Sequence, residues 1–540
     1  MDRWYKQSVV YQIYPMSFCD SNHDGIGDIQ GIISKLDYLK NLGVDIIWLS
    51  PIYQSPMDDN GYDISNYHEI NPMFGVMDDF KELLEKIHQR DMYLIMDLVV
   101  NHTSDEHEWF KNALEHEDSP YRDYYVFRKE RNIKKPLHSF FGGSAWEQVK
   151  NSDTYYLHMF SKKQPDLNWK NPKLRQEIYK MMNTWLDMGV DGFRMDVIDL
   201  IGKDIDQQII GNGPYLHQYL KEMYQQCFKG RKVLTVGETG GATPEIAILY
   251  TSIDSYELDM VFQFQHIGLD QIKGKDKWHL KPLDLVELKA VLSNWQVKLY
   301  HQGWNSLYWN NHDQTRIVSR WGNDKEYRVE SAKMLGAILH FMQGTPYIYQ
   351  GEEIGMTNAY FNRIEQLRDI ETLNMIKEKE LVWDQSRIWE AIDKKGRDNS
   401  RTPMQWNEQA YAGFSDVKPW IDVNQNYHTI NVENDLMDKD SILHFYQKLI
   451  RLRKEIKCIY EGKYELINPT DHQFFHYTRS TEDELIHVIA NFTDQYLSSN
   501  DEVEGRMILS NYAENEKLYK PYEVRVYYQN KVGDHDAQLS

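Results

Sequence analysis

The sequence predicts an α/β chain: a (β/α)8 TIM barrel with an inserted subdomain after strand 3, followed by a C-terminal antiparallel β-sandwich domain. Three observations carry this. Eight short, near-continuous apolar runs alternate with amphipathic helical patterns, as strands of a parallel sheet buried on both faces must. One connection, between about residues 102 and 172, is roughly 70 residues long, far beyond an ordinary loop. Beyond the amphipathic SILHFYQKLIRLRKE the pattern changes to short alternating strands with turn residues between them. The expected divisions are 1–101 and 173–461 for the barrel, 102–172 for the insertion and 462–540 for the C-terminal domain.

Taken in order, VVYQIYP (9–15) is the first strand, with helical spacing following in IISKLDYLKNLG. VDIIWLSP (44–51) and MYLIMDLVV (92–100) are the second and third, separated by the helical FKELLEKIHQR (80–90). VDGFRMDV (190–197), VLTVGET (233–239), DMVFQFQ (259–265), NSLYWNN (305–311) and TPYIYQG (345–351) complete the eight. Between them, RQEIYKMMNTWLDMG, YLHQYLKEMYQQCF, LVELKAVLSNWQVKLY and SAKMLGAILHFMQ repeat apolar residues three and four apart. YYVF and TYYLHMF are strand-like pieces inside the insertion. YELINPT, QFFHYTR, ELIHVIANFT and YEVRVYYQ are the expected C-terminal strands.

Composition narrows the function classes. The chain has 540 residues and a formal charge of −21, which argues against nucleic acid and anionic membrane as partners. Three cysteines, Cys19, Cys227 and Cys458, cannot all pair and suit a reducing compartment. MDRWYKQSVVYQIYP has no apolar leader and no stretch is long enough to span a bilayer, so a cytoplasmic location is expected. Aromatics at 13%, with 37 Tyr and 15 Trp, serve core packing or sugar stacking; composition leaves both open.

The chemistry sits where apolar runs break. Asp196 closes GFRMDV two residues after Arg194; alternation points both side chains the same way, so the arginine can keep the carboxylate charged and aimed. A structural ion pair is the plain alternative. Glu238 ends VLTVGE on the neighbouring strand, and strand spacing of about 4.8 Å allows the close carboxyl pair of a retaining glycosidase. Asp196's charge would then keep Glu238 protonated as general acid; a helix-capping role is the alternative. Asp313 follows His312 in NNHDQTR and can balance oxocarbenium charge. Asp97 and His102 come from DLVVNHTS. Separately, DSNHDGIGD places Asp20, Asn22, Asp24 and Asp28 oxygens, and the Ile26 carbonyl, at alternate positions, which suits Ca²⁺ or merely an Asp-Gly turn.

DLVVNH, GFRMDVID, VGET and NNHD, in that order, resemble the four signature regions of the α-amylase superfamily. YQIYPMSF, SPMDDNGYD, FFGGSAW, SKKQPDLNW, YIYQGEEIGM and GRDNSRTPMQW narrow the resemblance to the oligo-1,6-glucosidase and dextran glucosidase group, over nearly the whole chain. The resemblance implies Asp196 as nucleophile, Glu238 as general acid/base and Asp313 as transition-state stabiliser. It implies that Asp59, Tyr62, His102, Arg194, His312 and Arg397 line the subsite for the non-reducing-end glucose, with Phe160 and Gln164 nearby. It implies Lys277 and Glu371 at the next glucose, and a calcium site at Asp20, Asn22, Asp24, Ile26 and Asp28. Val197 after the nucleophile is similar to members that prefer α-1,6 bonds; α-1,4-preferring relatives tend to carry Ala or Thr. Gly240 stands where dextran glucosidases place Trp, removing a stacking platform for the second sugar.

The implied activity is retaining exo-hydrolysis of α-1,6 bonds in isomalto-oligosaccharides by a monomer acting on a small saccharide. The alternatives are a trehalose-6-phosphate hydrolase, which needs a basic grip that VGETGGATPEI does not resemble, and an α-1,4-preferring α-glucosidase. SRWGNDKEYR lacks the Arg-rich loop of sucrose isomerases. A non-catalytic binding subunit would have lost carboxylates that this chain keeps.

Overall fold

The computed structural model describes residues 3–133, 136–499, 503–513 and 517–531. Eight parallel strands form the central sheet: β1 (Val10–Ile13), β2 (Ile46–Leu49), β3 (Tyr93–Leu98), β4 (Gly192–Met195), β5 (Leu234–Glu238), β6 (Met260–Phe262), β7 (Ser306–Leu307) and β8 (Thr345–Tyr349). Their order runs β6-β5-β4-β3-β2-β1-β8-β7. A parallel bridge between Val261 and Asn305 joins β6 to β7 and closes the ring. Each strand lies inside one of the eight apolar runs read from the sequence. β7 is only two residues long, with Asn305 just before it paired to Val261.

Side chains alternate between two cores. Ile46, Trp48, Ile95, Val236, Phe262 and Tyr347 point inward and fill the barrel. The opposite faces, with Ile47, Leu94 and Phe193, pack beneath the surrounding helices. Gly192 has φ +142° and its α-carbon faces Leu234; a Cβ there would lie 1.9 Å from the Leu234 carbonyl oxygen, so only glycine lets β4 and β5 approach.

The long connection contains a three-stranded antiparallel sheet in which Thr154–Leu157 lies between Phe127–Lys129 and Trp146–Gln148. It is stitched to the segment after β3 by the antiparallel bridge His102–Asp166 and by the Leu167 N–H, which donates to the Asn101 carbonyl at 2.9 Å, while a second bridge, Tyr125–Leu167, ties the insertion to itself. Helix α1 (Pro172–Met188), capped by Asn171 and ended by left-handed Gly189, leads back to β4. After β8 the chain makes a second excursion, built around α2 (Ile370–Lys379) and α3 (Gln385–Lys395), before α4 (Ile442–Glu455) packs on the barrel. Periodicity did not single out this excursion.

The C-terminal region is one five-stranded antiparallel sheet: β9 (Lys463–Ile467), β10 (Phe474–Ser480), β11 (Glu484–Asn491), β12 (Arg506–Ser510) and β13 (Val524–Asn530), in the order β9-β10-β11-β13-β12. Phe475, Tyr477, Ile486 and Val488 face Leu288, Leu335 and Ile338 of the barrel helices. Phe474, Ile489 and Tyr519 cluster on the other face, beneath the bridge Leu497–Tyr519. Among the described residues the region holds this one sheet rather than the two of the expected sandwich, with barrel helices covering one face and the isolated bridge on the other. The sequence reading missed β12, a short edge strand broken by a bulge between Met507 and Leu509.

Candidate active site

The ends of β3, β4 and β5 converge on one guanidinium. Register sets Arg194 beside Asp97 on β3 and Val236 on β5. Arg194 is 1% exposed. Its Nη1 donates to Asp97 Oδ1 at 2.9 Å and to Asp196 Oδ1 at 2.8 Å, and its Nη2 meets Glu238 Oε1 at 2.7 Å. The Trp48 ring lies 5.0 Å from the guanidinium and supports it from inside the barrel. Three carboxyl groups around one cation leave an excess of negative charge. Burial pushes the Asp196 carboxyl well above the usual range; Arg194 opposes this, and Glu238 and Asp97 add to it.

Val197 follows at φ 38° and ψ 42°, a left-handed conformation that strains a β-branched residue. Its N–H donates to Glu238 Oε2 at 3.1 Å. Both Glu238 oxygens therefore accept N–H donors. The strained turn links the loop after Asp196 directly to the neighbouring carboxyl group.

Asp313, beyond β7, has the opposite surroundings. His312 Nε2 lies 3.1 Å from Asp313 Oδ2, while Arg397 Nη1 and Arg401 Nη2 donate to Oδ1 at 3.0 and 2.8 Å. Burial alone would raise this carboxyl, but His312 and the two arginines outweigh it and hold it well below the usual carboxylate range. The Gln12 amide reaches His312 Nδ1 at 2.8 Å, which leaves Nε2 to face Asp313.

The remaining predicted residues form the wall between these two sides. Tyr62 stacks on His312 with ring centres 5.1 Å apart and planes 3° apart, and its hydroxyl donates to Asp97 Oδ2 at 2.9 Å. His102 Nε2 donates to the Tyr62 carbonyl at 2.9 Å; burial lowers its pKa to about 4, so it is neutral near pH 7. Gln164 donates to Asp59 Oδ2 and to the Tyr62 carbonyl, each at 3.1 Å. Burial pushes Asp59 up to about 7 against the pull of Arg397 and Arg401.

Together they enclose a cavity of about 370 Å³. Asp59, Tyr62, His102, Phe160, Asp196, Val197, Glu238, Lys277, Asp313, Glu371 and Arg397 line it, whereas Gln164, Arg194 and His312 lie behind the lining. On its outer side Lys277 Nζ contacts Glu371 Oε2 at 2.5 Å. Lys395 also reaches the cavity, paired with Asp270. The Phe264 ring lines the cavity beside Gly240, where a Cβ would stand 3.4 Å from it.

The catalytic-domain model of α-amylase matches residues 12–462. The chain belongs to the α-amylase family. Among curated family members, it is 54% identical to an oligo-1,6-glucosidase of Halalkalibacterium halodurans, across 97% of this chain and 99% of that one. It is 53% identical to a glucan 1,6-alpha-glucosidase of Streptococcus pneumoniae, across 96% and 97%. The solved trehalose-6-phosphate hydrolase of Bacillus licheniformis superposes with a TM-score of 0.92 at 46% identity, covering 98% of this chain and all of that one, 100%.

Family signature regions supplied the strand-end residues, but several groups in the site escaped the sequence reading. Arg401 lies four residues after Arg397, one helical turn on, a spacing visible in RDNSR. Asp369 stands at the N-cap of α2, where an Asp before a helical pattern was a readable start signal. Phe141, whose ring lies 5.1 Å from the Arg397 guanidinium, comes from the insertion and had no periodic signal.

The 20–28 loop lies apart from the cavity. Asp20 Oδ1 accepts the N–H groups of Asn22 and His23, Asn22 Oδ1 accepts that of Asp24, and Asp24 Oδ1 accepts that of Ile26. Asp28 caps the helix Ile29–Ser34 through Gly31 N–H and accepts twice from Ser21. The donors are all oxygen, as a hard cation requires. Among the described residues, no group of three or more Asp, Glu, His or Cys is gathered as a metal centre.

Proposed function

We propose that this α-amylase-family hydrolase is a retaining, exo-acting α-glucosidase that cleaves α-1,6 bonds at the non-reducing ends of isomalto-oligosaccharides. The observation that carries it is the pair Asp196 and Glu238 on one guanidinium, in one cavity with an ionised Asp313. Asp196, oriented by Arg194, attacks the anomeric carbon. Glu238 gives a proton to the leaving oxygen and then takes one from water, which releases glucose with its configuration retained. Asp313, held charged by its cationic neighbours, opposes the oxocarbenium charge that develops in the transition state of each step.

The curated relatives named for 1,6-glucosidase activity, and Val197 at the residue after the nucleophile, support the linkage. Lys277 and Glu371 would hold the second glucose, and Phe264 offers a ring beside Gly240 where a Trp was expected. The cavity's two lysines are each neutralised by a carboxylate, which disfavours a phosphorylated substrate. A panel of isomaltose, isomaltotriose, panose, maltose, sucrose and trehalose 6-phosphate tests this. Fastest turnover on isomaltose or panose supports it; release of glucose 6-phosphate as the main activity overturns it.

We also propose that Asp20, Asn22, Asp24, Ile26 and Asp28 hold a structural Ca²⁺ through the all-oxygen donors of their loop. A melting temperature lowered by chelator and restored by calcium supports that, and one unaffected by either overturns it. Among the described residues no helix is long and apolar enough to cross a membrane. The cysteines are free and buried. We propose a cytoplasmic location, for which unpaired buried cysteines are the support, and a monomer acting on a small oligosaccharide.

A further inference from the structure

We propose that Asp369 is a positioning residue that holds Arg397, and through it Asp313, in reactive geometry while fixing the helix that carries Glu371. The proposal rests on the glucosidase reading above. Asp369 is 0% exposed and does not itself line the cavity, but it bonds directly to Arg397 and to the Glu371 N–H, which belong to residues that do. Its Oδ1 accepts Arg397 Nε at 2.9 Å and Nη2 at 2.6 Å. Its Oδ2 caps α2, accepting Thr372 N–H at 3.1 Å and Thr372 Oγ1 at 2.6 Å. Its own N–H is fixed by Asp398 Oδ2 at 3.0 Å.

Arg397 is a flexible cation with four carboxylates in reach. Its contacts with Asp59 and Glu371 are both long, at 3.4 Å, and those with Asp369 are its shortest. A bound Nε–Nη2 edge leaves Nη1 pointing at Asp313, 3.0 Å away. Without Asp369 the guanidinium would be free to turn towards Asp59 or Glu371 and abandon Asp313. The same carboxylate anchors the first turn of α2, so Glu371 and its partner Lys277 take their position from it. One residue thus sets both the cleaving subsite and the one beyond it.

D369N separates these roles, because Asn remains a good N-cap but cannot supply the charge that holds Arg397. It is expected to keep its melting temperature within a few degrees of wild type. Its kcat should fall about 10- to 100-fold on both isomaltose and p-nitrophenyl α-glucoside, as misplacement of a transition-state group does. Because it acts through Arg397, D369N/R397A should be no worse than R397A by more than about twofold. A folded D369N with near-wild-type kcat, or losses that multiply in the double variant, overturns the proposal. Should D369N melt early, its kcat is read below its melting transition and corrected to the folded fraction measured by circular dichroism: a loss of about 10- to 100-fold per folded molecule supports the proposal and a near-wild-type value overturns it. If wild type cleaves the nitrophenyl glucoside but not isomaltose, the α-1,6 reading fails, while the Asp369 test stands on the first substrate.

Discussion

The two sides of the cavity hold charge in opposite ways. On the β3–β5 side, Asp97, Asp196 and Glu238 crowd around a single Arg194; burial and the neighbouring carboxyl groups push Asp196 well up, and Arg194 is the group that opposes them. On the β7 side, one carboxylate, Asp313, meets His312, Arg397 and Arg401 and is held well down. Burial raises both carboxyls, so desolvation alone does not distinguish them; the partners in direct contact do, one arginine for Asp196 against His312, Arg397 and Arg401 for Asp313. The retaining mechanism proposed above needs a side that moves a proton and a side that keeps its charge, and two arginines on Asp313 would supply the second.

Leaving-group dependence is the sharpest way to break this contrast. E238Q should lower kcat on isomaltose by about 10³- to 10⁴-fold, since a proton donor for a poor leaving group is lost. The loss in the first step should shrink on p-nitrophenyl α-glucoside, whose leaving group needs no proton. D313N should cost about 10²- to 10³-fold on both substrates alike, as loss of charge stabilisation predicts. Equal leaving-group sensitivity in the two variants would erase the distinction between the sides. K277A should have a smaller effect, raising KM for isomaltose about 10-fold, the value of one charge-assisted hydrogen bond, with little change on the nitrophenyl substrate. Saturation kinetics on the two substrates measure it.

Glu352, where the chain leaves β8, provides a third kind of carboxyl, with a proton held chiefly by burial. Tyr446 donates to its Oε1 at 2.9 Å, its Oε2 has no hydrogen-bond partner among the described residues, and burial pushes it up to about 8, with Tyr446 opposing and Glu353 adding. Its folded pKa lies above its unfolded value, so the folded state binds the extra proton. The associated stability is complete below about pH 4.5 and is lost as pH rises through about 8. E352Q removes that loss, so its melting temperature should gain on wild type steadily from pH 5 to about 8.5 by a few degrees. A gap that does not change with pH would show that Glu352 ionises as freely in the fold as outside it.

The two sides also differ in how much of them could be read from sequence. Asp97, Arg194, Asp196 and Glu238 end strands whose apolar runs are unmistakable, and period-two alternation puts Arg194 and Asp196 on one face. The surroundings of Asp313 were legible only in part. His312 is its sequence neighbour, but Arg397, Arg401 and Asp369 arrive from the excursion after β8, where no barrel period points. Arg397 was reached through resemblance to the family; Asp369 and Arg401 were not, because long-range ion pairs leave no periodic trace. Val197's left-handed backbone was equally invisible, since nothing local in MDVID favours positive φ. The eight barrel strands were legible because burial on both faces dictates their composition, whereas the edge strand β12 was not, being half exposed and bulged.

Trapping the covalent intermediate tests the central assignment most directly. A 5-fluoro-α-glucosyl fluoride, which slows both steps but departs without acid assistance in the first, should leave a glycosyl ester that peptide mass spectrometry places on Asp196. Turnover of isomaltose followed by NMR should show α-glucose as first product. A label on Asp313 or Glu238, or β-glucose appearing first with no label at all, would contradict the division of roles between the two sides.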